Sequence, residues 1–266
     1  MVRMIATDLD GTIVRSDGEI SARTRAALTA AEEAGLVVVF VTGRPVRWMK
    51  PVADATGHRG LAVCANGAVV YDLHAERIVQ EFPMDADVAR GLAEAIRTVV
   101  PDVAFAVEAV GRFGHVPHYR PKYEVPPETV IAGLDELLDG PVLKLLARHT
   151  SLSTDELMEA TREVVGELAV LTTATFSETD GLLELSAAGV TKAFGLERLA
   201  ADHGITAGEV VAFGDMPNDI PMLVWAGHAV AVANAHPDVV AVADEVTATN
   251  DDDGVAAVIE RLLRSR

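Results

Sequence analysis

Residues 2–12 read VRMIATDLDGT. An apolar run over residues 2–7 stops at two aspartates one residue apart, Asp8 and Asp10, followed by Gly11. The pattern predicts a buried strand ending in a turn, and ligands in open parallel sheets bind beyond the carboxyl ends of strands. Similar short runs occur over residues 36–41, 61–65 and 210–213, each bounded by Gly, Asp or Asn. Helical patterns lie between them. Ser21 is an N-cap, with Ala27, Leu28, Ala31 and Ala34 on one face and Gly35 at the stop. Thr191 opens another helix, with Ala193, Leu196, Leu199 and Ala200 inward and Gly204 at the stop. This alternation predicts an α/β fold, a mostly parallel sheet with helices on both faces.

The middle of the chain has a different texture. Asp85 precedes Val88, Leu92, Ala95, Ile96 and Val99 at helical spacing. A capping box from Ser153 to Glu156 precedes Leu157, Val164, Val165 and Leu168. A further helix is expected over residues 127–138, and strands over 103–107, 142–147 and 182–185. Prolines cluster over 117–127, PHYRPKYEVPP, as in an ordered loop. Residues 84–186 are therefore expected to form an inserted α+β domain of about 100 residues, within the usual domain range. Residues 1–83 and 187–266 would form the host domain.

Composition bounds the partners. Half of the 266 residues are hydrophobic, enough for a packed core. Lys and Arg number 22 against 40 Asp and Glu, a net charge of −18. So acidic a surface repels phosphate backbones and anionic lipid, which argues against nucleic acid and membrane as partners. An anionic substrate would need a local cation. The single cysteine, Cys64, falls in a predicted buried strand and excludes an intrachain disulfide or a cysteine zinc cluster. The longest apolar strand-like run, residues 36–41, is far below the ~18 residues of a spanning helix. The N-terminal MVRMIATDLDG lacks the apolar core of a signal peptide. A soluble, cytoplasmic protein is expected.

Four stretches carry candidate chemistry. Asp8 and Asp10 can converge on one point while doing different jobs, and Gly11 lets the chain turn its N–H groups toward an anion. Such a turn also ends strands without chemistry. Thr42, Gly43 and Arg44 follow residues 36–41 and offer a hydroxyl, an N–H and a guanidinium to phosphate oxygens. Lys192 lies in the first turn of a predicted helix, where ammonium and helix terminus both favour anions. A lysine there is more often solvated. Residues 214–219, GDMPND, place acids after the strand over 210–213. Hard cations such as Mg²⁺ take carboxylate, carbonyl and water oxygens, and Asp8 and Asp215 could supply carboxylates.

Together and in this order, the DLDGT of residues 8–12, Thr42, Lys192 and the GDMPND of 214–219 resemble the haloacid dehalogenase superfamily over nearly the whole chain. The long insertion between Thr42 and Lys192, with Asn66-Gly67 and Asn234-Ala235, is similar to its Cof-type phosphatase subgroup. The resemblance implies a Rossmann-like core with an inserted α+β cap that selects substrate. It implies Mg²⁺-dependent hydrolysis of small phosphorylated metabolites, sugar phosphates or cofactor-like phosphomonoesters. Asp8 would be the nucleophile forming an aspartyl-phosphate, and Asp10 the general acid and then base. Thr42, Gly43, Arg44, Lys192 and Asn218 would bind phosphate or substrate. The Asp8 carboxylate, the Asp10 main-chain carbonyl and Asp215 would hold Mg²⁺, with Asp219 orienting metal waters or Lys192. Asp10 at the acid position favours phosphoryl transfer over dehalogenation. A phosphomutase or phosphotransferase is the alternative. A phospho-acceptor signalling domain lacks both Asp10 and the insertion, and a non-catalytic sugar-phosphate binder would not keep every catalytic position.

Residues 111–123, GRFGHVPHYRPKY, are basic and aromatic in an acidic chain. His118, Tyr119 and Arg120 are candidates for reading the leaving group; the alternative is that Phe113 and Tyr119 are core. His115 and His118 lack a carboxylate partner for zinc. Trp48 and Met49 either line the pocket mouth or pack. Asp251 to Asp253 are expected to cap a last helix over residues 254–263. The oligomeric expectation is a monomer or homodimer.

Overall fold

The computed structural model describes residues 1–57, 59–122, 124–173 and 177–265. In chain order the strands are β1 (Met4–Thr7), β2 (Val37–Val41), β3 (Leu61–Cys64), β4 (Val69–Asp72), β5 (Arg77–Glu81), β6 (Ala104–Ala109), β7 (Arg112–His115), β8 (Val130–Ile131), β9 (Lys144–His149), β10 (Ala169–Thr172), β11 (Gly181–Ala187), β12 (Val210–Gly214), β13 (His228–Ala231) and β14 (Glu245–Val246). The helices are α1 (Ala22–Glu33), α2 (Lys50–Thr56), α3 (Ala86–Val99), α4 (Leu134–Leu137), α5 (Thr154–Val165), α6 (Lys192–Asp202), α7 (Ile220–Trp225), α8 (Pro237–Val242) and α9 (Gly254–Arg264). The chain divides into two compact units, Met1–Gln80 with Thr191–Arg266, and Glu81–Val190. The inserted unit thus starts three residues before position 84 and ends four after 186. Among the described residues, no helix is long and apolar enough to cross a membrane.

The first unit is built on an eight-stranded sheet in the order β14-β13-β12-β1-β2-β3-β4-β5. The strands from β14 to β3 run parallel, and β4 turns back antiparallel to β3. Successive connections run outward from β1 through β2 to β3, and from β12 through β13 to β14. The gap between β1 and β12 is where the winding reverses, the place where such sheets bind ligands. In register, Thr7 stands level with Phe40 and Phe213, so the residues just past all three strands emerge at one edge. β1 is fully buried, which its uninterrupted apolar run requires. Ser21 caps α1 by accepting from the Thr24 N–H, and Ala27, Leu28 and Ala31 are buried, but Ala34 is exposed because the helix has already ended.

The second unit is a six-stranded sheet, β10-β11-β9-β6-β7-β8, antiparallel except between β7 and β8. One face presents Phe105, Val107, Leu145, Ala147, Leu183 and Leu185 to the apolar cluster, which includes Leu92 and Ile96 of α3 and Leu157 of α5. The α3 stripe is Ala89, Leu92, Ala93 and Ile96; Val88 and Val99, expected inward, are 38% and 43% exposed. Both sets have helical spacing and share Leu92 and Ile96; the buried face is turned toward Ala89 and Ala93, away from Val88 and Val99. The capping box at Ser153 and Glu156 forms, but α5 stops at Val165 and Leu168 lies outside it, exposed. Within residues 127–138 the expected helix is reduced to the four residues of α4, with β8 ahead of it. Pro126 and Pro127 are followed by Thr129, whose hydroxyl and N–H both return to the Pro126 carbonyl in a turn.

Candidate active site

The loop after β1 carries Asp8, which is 5% exposed. Its Oδ1 accepts a hydrogen bond from Lys192 Nζ at 2.6 Å. Lys192, the first residue of α6, is 2% exposed and also donates to Asp219 Oδ1 at 2.6 Å. A buried ammonium is tolerable only when paired, and here two carboxylates share it. The other oxygen of Asp219 accepts the main-chain N–H groups of Asp215 and Met216, at 3.1 and 3.0 Å. Asp219 is thereby committed to shaping the turn after β12 and to holding Lys192. Asp215 accepts from the Thr12 hydroxyl at 2.8 Å. Its second oxygen lies over Gly11, where an added Cβ would fall 2.3 Å from Oδ2; the backbone there has φ +84°. Glycine is required twice over, by conformation and by the approach of the carboxylate.

Carboxylate oxygens of Asp8, Asp215 and Asp219 lie within 4.8 Å of one another. Three buried carboxylates against one ammonium leave two negative charges in excess when all are ionised. Burial raises the Asp8 carboxyl well above its usual range; Lys192 opposes this, while Asp219 and Asp215 add to it. Burial and then the Asp219 charge push Asp215 up to about 7, against the Thr12 hydrogen bond. Burial would pull the Lys192 ammonium down, but the Asp219 and Asp8 charges and hydrogen bonds outweigh it, so it is held protonated above its ordinary value. An all-oxygen cluster short of two positive charges fits a hard divalent cation.

Asp10 is placed differently. Its side chain is 58% exposed and is gripped by Arg44, Nε to Oδ2 at 2.8 Å and Nη2 to Oδ1 at 2.5 Å. The carboxylate is thus outside the acidic cluster, and Arg44, expected on phosphate, lies on Asp10. Thr42 is 1% exposed, and its hydroxyl accepts the Arg44 N–H at 3.0 Å, closing a tight turn across Gly43. Asn218 donates from Nδ2 to Asn66 Oδ1 at 3.3 Å. In the second unit His118 and Arg120 are exposed, with Arg120 turned back on the Pro117 carbonyl. Tyr119 and Phe113 belong to the apolar cluster, which favours packing as their role. Tyr123 lies outside the described residues.

Sequence reasoning left other contributors without a role. Thr12 fixes Asp215. Asn234 donates to the Gly11 carbonyl at 2.8 Å and accepts from the Asn250 N–H at 2.9 Å, and Asn250 donates to Val14 O at 2.9 Å. Asp253 stands at the N-cap position of α9, but its side chain makes no cap bond there. Asp251 accepts from Ser16, and Asp253 pairs with Arg15 at 2.7 Å. These contacts tie the loop before α9 to the turn after Asp8. Met49 is buried; Trp48 is half-buried under the Arg47 guanidinium.

Known proteins are similar to this chain across its length. A pyridoxal phosphate phosphatase of Escherichia coli, YbhA, is 29% identical, with 97% of each chain covered. The 5-amino-6-(5-phospho-D-ribitylamino)uracil phosphatase YwtE of Bacillus subtilis is 27% identical, with 98% of each covered. A solved haloacid dehalogenase-like hydrolase from Bacillus subtilis superposes with a TM-score of 0.81 at 26% identity, over 98% of this chain and all of that one. The family model for haloacid dehalogenase-like hydrolases matches residues 5–259, from the middle of β1 to α9 and so across every residue of the acidic cluster. The chain belongs to the haloacid dehalogenase-like hydrolase family.

Proposed function

We propose that the protein is a Mg²⁺-dependent phosphatase that hydrolyses small phosphomonoesters through an aspartyl-phosphate on Asp8. The observation that carries this is the buried Asp8–Lys192–Asp219 arrangement beside Asp215, a nucleophilic carboxylate among acids whose excess charge calls for a divalent ion. The Asp8 and Asp215 carboxylates, with the Asp10 main-chain carbonyl, would hold the ion. When bound, it would neutralise the cluster and screen the phosphoryl charge.

Asp8 attacks phosphorus as the bond to the leaving oxygen breaks, and Asp10 gives that oxygen its proton. Asp10 then takes a proton from water, which attacks the acyl-phosphate; inorganic phosphate leaves and Asp8 is restored. Arg44 must release one Asp10 oxygen for either transfer, and the exposure of Asp10 leaves room for that. Lys192 keeps Asp8 oriented, and Asp219 keeps Lys192 in place. Thr42, Gly43 and Asn218 would complete the phosphoryl pocket.

Residues 84–186 would act as the cap that selects among sugar phosphates and cofactor-like phosphomonoesters, with exposed His118 and Arg120 reading the leaving group. The names of YbhA and YwtE point to substrates of this class. We place the activity in the cytoplasm, in a monomer or homodimer. The test is a phosphometabolite panel with Mg²⁺ and detection of inorganic phosphate. Many equivalents released per chain support the proposal, and a single labelling event would leave only a phospho-acceptor. Asp10→Asn should let label accumulate slowly on Asp8. Unchanged selectivity in His118→Ala/Arg120→Ala would remove those two residues from recognition.

A further inference from the structure

The turn after β3 departs from ordinary backbone over three consecutive residues. Ala65 has φ 52°, Asn66 φ 56° and Gly67 φ 108°. Left-handed backbone is unfavourable for alanine, and asparagine tolerates it better. The turn is pressed against the start of α6: a Cβ on Gly67 would fall 2.0 Å from the Thr191 carbonyl oxygen, and one on Gly195 would fall 2.9 Å from the Gly67 carbonyl oxygen. Asn66 is thus held rigidly, 1% exposed, with its N–H on the Thr42 carbonyl at 3.0 Å. One immobile residue therefore touches the Thr42 loop by its backbone and the 214–219 turn by its side chain.

That side-chain contact is oriented unexpectedly. Asn218 spends its Nδ2 donor on Asn66 Oδ1, while its own Oδ1 is buried with no hydrogen-bond partner among the described residues. A buried orphan acceptor is costly. Phosphate oxygens are acceptors, so the useful atom of Asn218 is the committed one. If both carboxamides turn over, Asn66 Nδ2 satisfies Asn218 Oδ1, and Asn218 Nδ2 becomes available to an anion. The amide at position 66 supports both arrangements, whereas a carboxylate accepts and does not donate.

We infer that Asn66 is a positioning residue for phosphate recognition: its amide, carried on a rigidly held backbone, sets which edge of the Asn218 carboxamide faces the phosphoryl group. This rests on the phosphatase activity proposed above. The experiment measures inorganic phosphate binding to the Mg²⁺-loaded protein by calorimetry, and kcat and KM for p-nitrophenyl phosphate, in wild type, Asn66→Gly, Asn218→Ala and the double variant. Glycine accepts φ 56° and adds no charge. Asn66→Gly should weaken phosphate binding about five- to tenfold, one hydrogen bond's worth, and act mainly on KM. In the Asn218→Ala background it should add less than about twofold, because the two residues act as one unit. Multiplying effects would mean that Asn66 merely shapes the loop, and the inference would fall. It would fall likewise if Asn66→Gly bound phosphate as wild type does. Asn66→Asp, which tolerates the same backbone, takes the place of Asn66→Gly if that variant does not fold; if neither folds, Asn66 is a folding determinant and the inference is overturned. Wild-type protein that neither binds phosphate nor turns over the ester would defeat the phosphatase proposal itself.

Discussion

Both units bury charge, but they balance it differently. In the second unit Lys144 and Glu184, 3% and 9% exposed, meet at 3.0 Å across β9 and β11. Arg148 holds Asp180 through two bonds, at 2.7 and 2.5 Å. Each cation in these pairs meets a carboxylate directly, and a second buried acid, Glu108, stands opposite Lys144 in the register of β6 and β9. In the first unit Lys192 faces three buried carboxylates, and Asp8 and Asp215 are driven toward protonation. In the second unit each cation is offset by a carboxylate within hydrogen-bond reach, whereas the three-acid cluster around Lys192 is relieved by a proton or an added cation. The difference separates charges that hold a fold from charges poised to bind.

The contrast breaks most visibly at Asp8. Asp8→Asn should lower phosphate release by about 10⁴-fold or more, as loss of a nucleophile does, in a single-substrate assay with Mg²⁺. Full activity in that variant would end the proposed role. Removing one partner of the Lys144–Glu184 pair should act on stability instead. Glu184→Gln leaves the Lys144 ammonium buried without its Glu184 carboxylate and should cost about 3 kcal/mol in denaturant unfolding. Asp215→Asn should do the opposite in metal-free protein, raising the melting temperature at pH 8 by several degrees while abolishing tight Mg²⁺ binding. It removes a charge the fold disfavours yet keeps an oxygen for Thr12.

Asp219→Asn sharpens the comparison further. Its amide would place a donor where either Lys192 or two main-chain N–H groups already donate, so Mg²⁺ affinity should fall about 10- to 100-fold, measurable by titration. The mildest test is pH. Asp215 titrates near 7 in the folded metal-free protein and near 3.8 when unfolded. Mg²⁺ must displace that proton below pH 7, so affinity should drop about tenfold per pH unit there, with proton release detectable by calorimetry in two buffers. By linkage, the folded state binds the extra proton between these values. The contribution of Asp215 to metal-free stability is therefore fully present below about pH 3.8 and is lost as pH rises through 7.

Asp8, Lys192, Asp215 and Asp219 were legible in the sequence because each directly follows a strand or opens a helix, where local pattern dictates position. The charged pairs of the second unit were not. KLLARH in β9 flanks an apolar Leu-Leu-Ala with basic residues, as a strand with solvated ends would, and nothing local tells that Lys144 and Arg148 are buried. Helical spacing in α3 fits two overlapping faces that share Leu92 and Ile96, and only packing selects the one with Ala89 and Ala93. Arg44 was assigned to phosphate by charge, but which anion a flexible guanidinium meets depends on what comes near it. Asp251 and Asp253 fit a helix-cap pattern locally, yet their partners lie over 200 positions away in the chain.

Residue order alone determined the parallel α/β core and pointed to a second unit and to the acidic groups, because strand ends, caps and glycine turns are short-range properties. Folding in three dimensions decided how many carboxylates surround Lys192, which cation holds Asp10 and why Asn66 takes a left-handed backbone. Those outcomes depend on distances between segments remote in the chain, and Coulomb energy and desolvation are set by distance and burial, not by sequence separation.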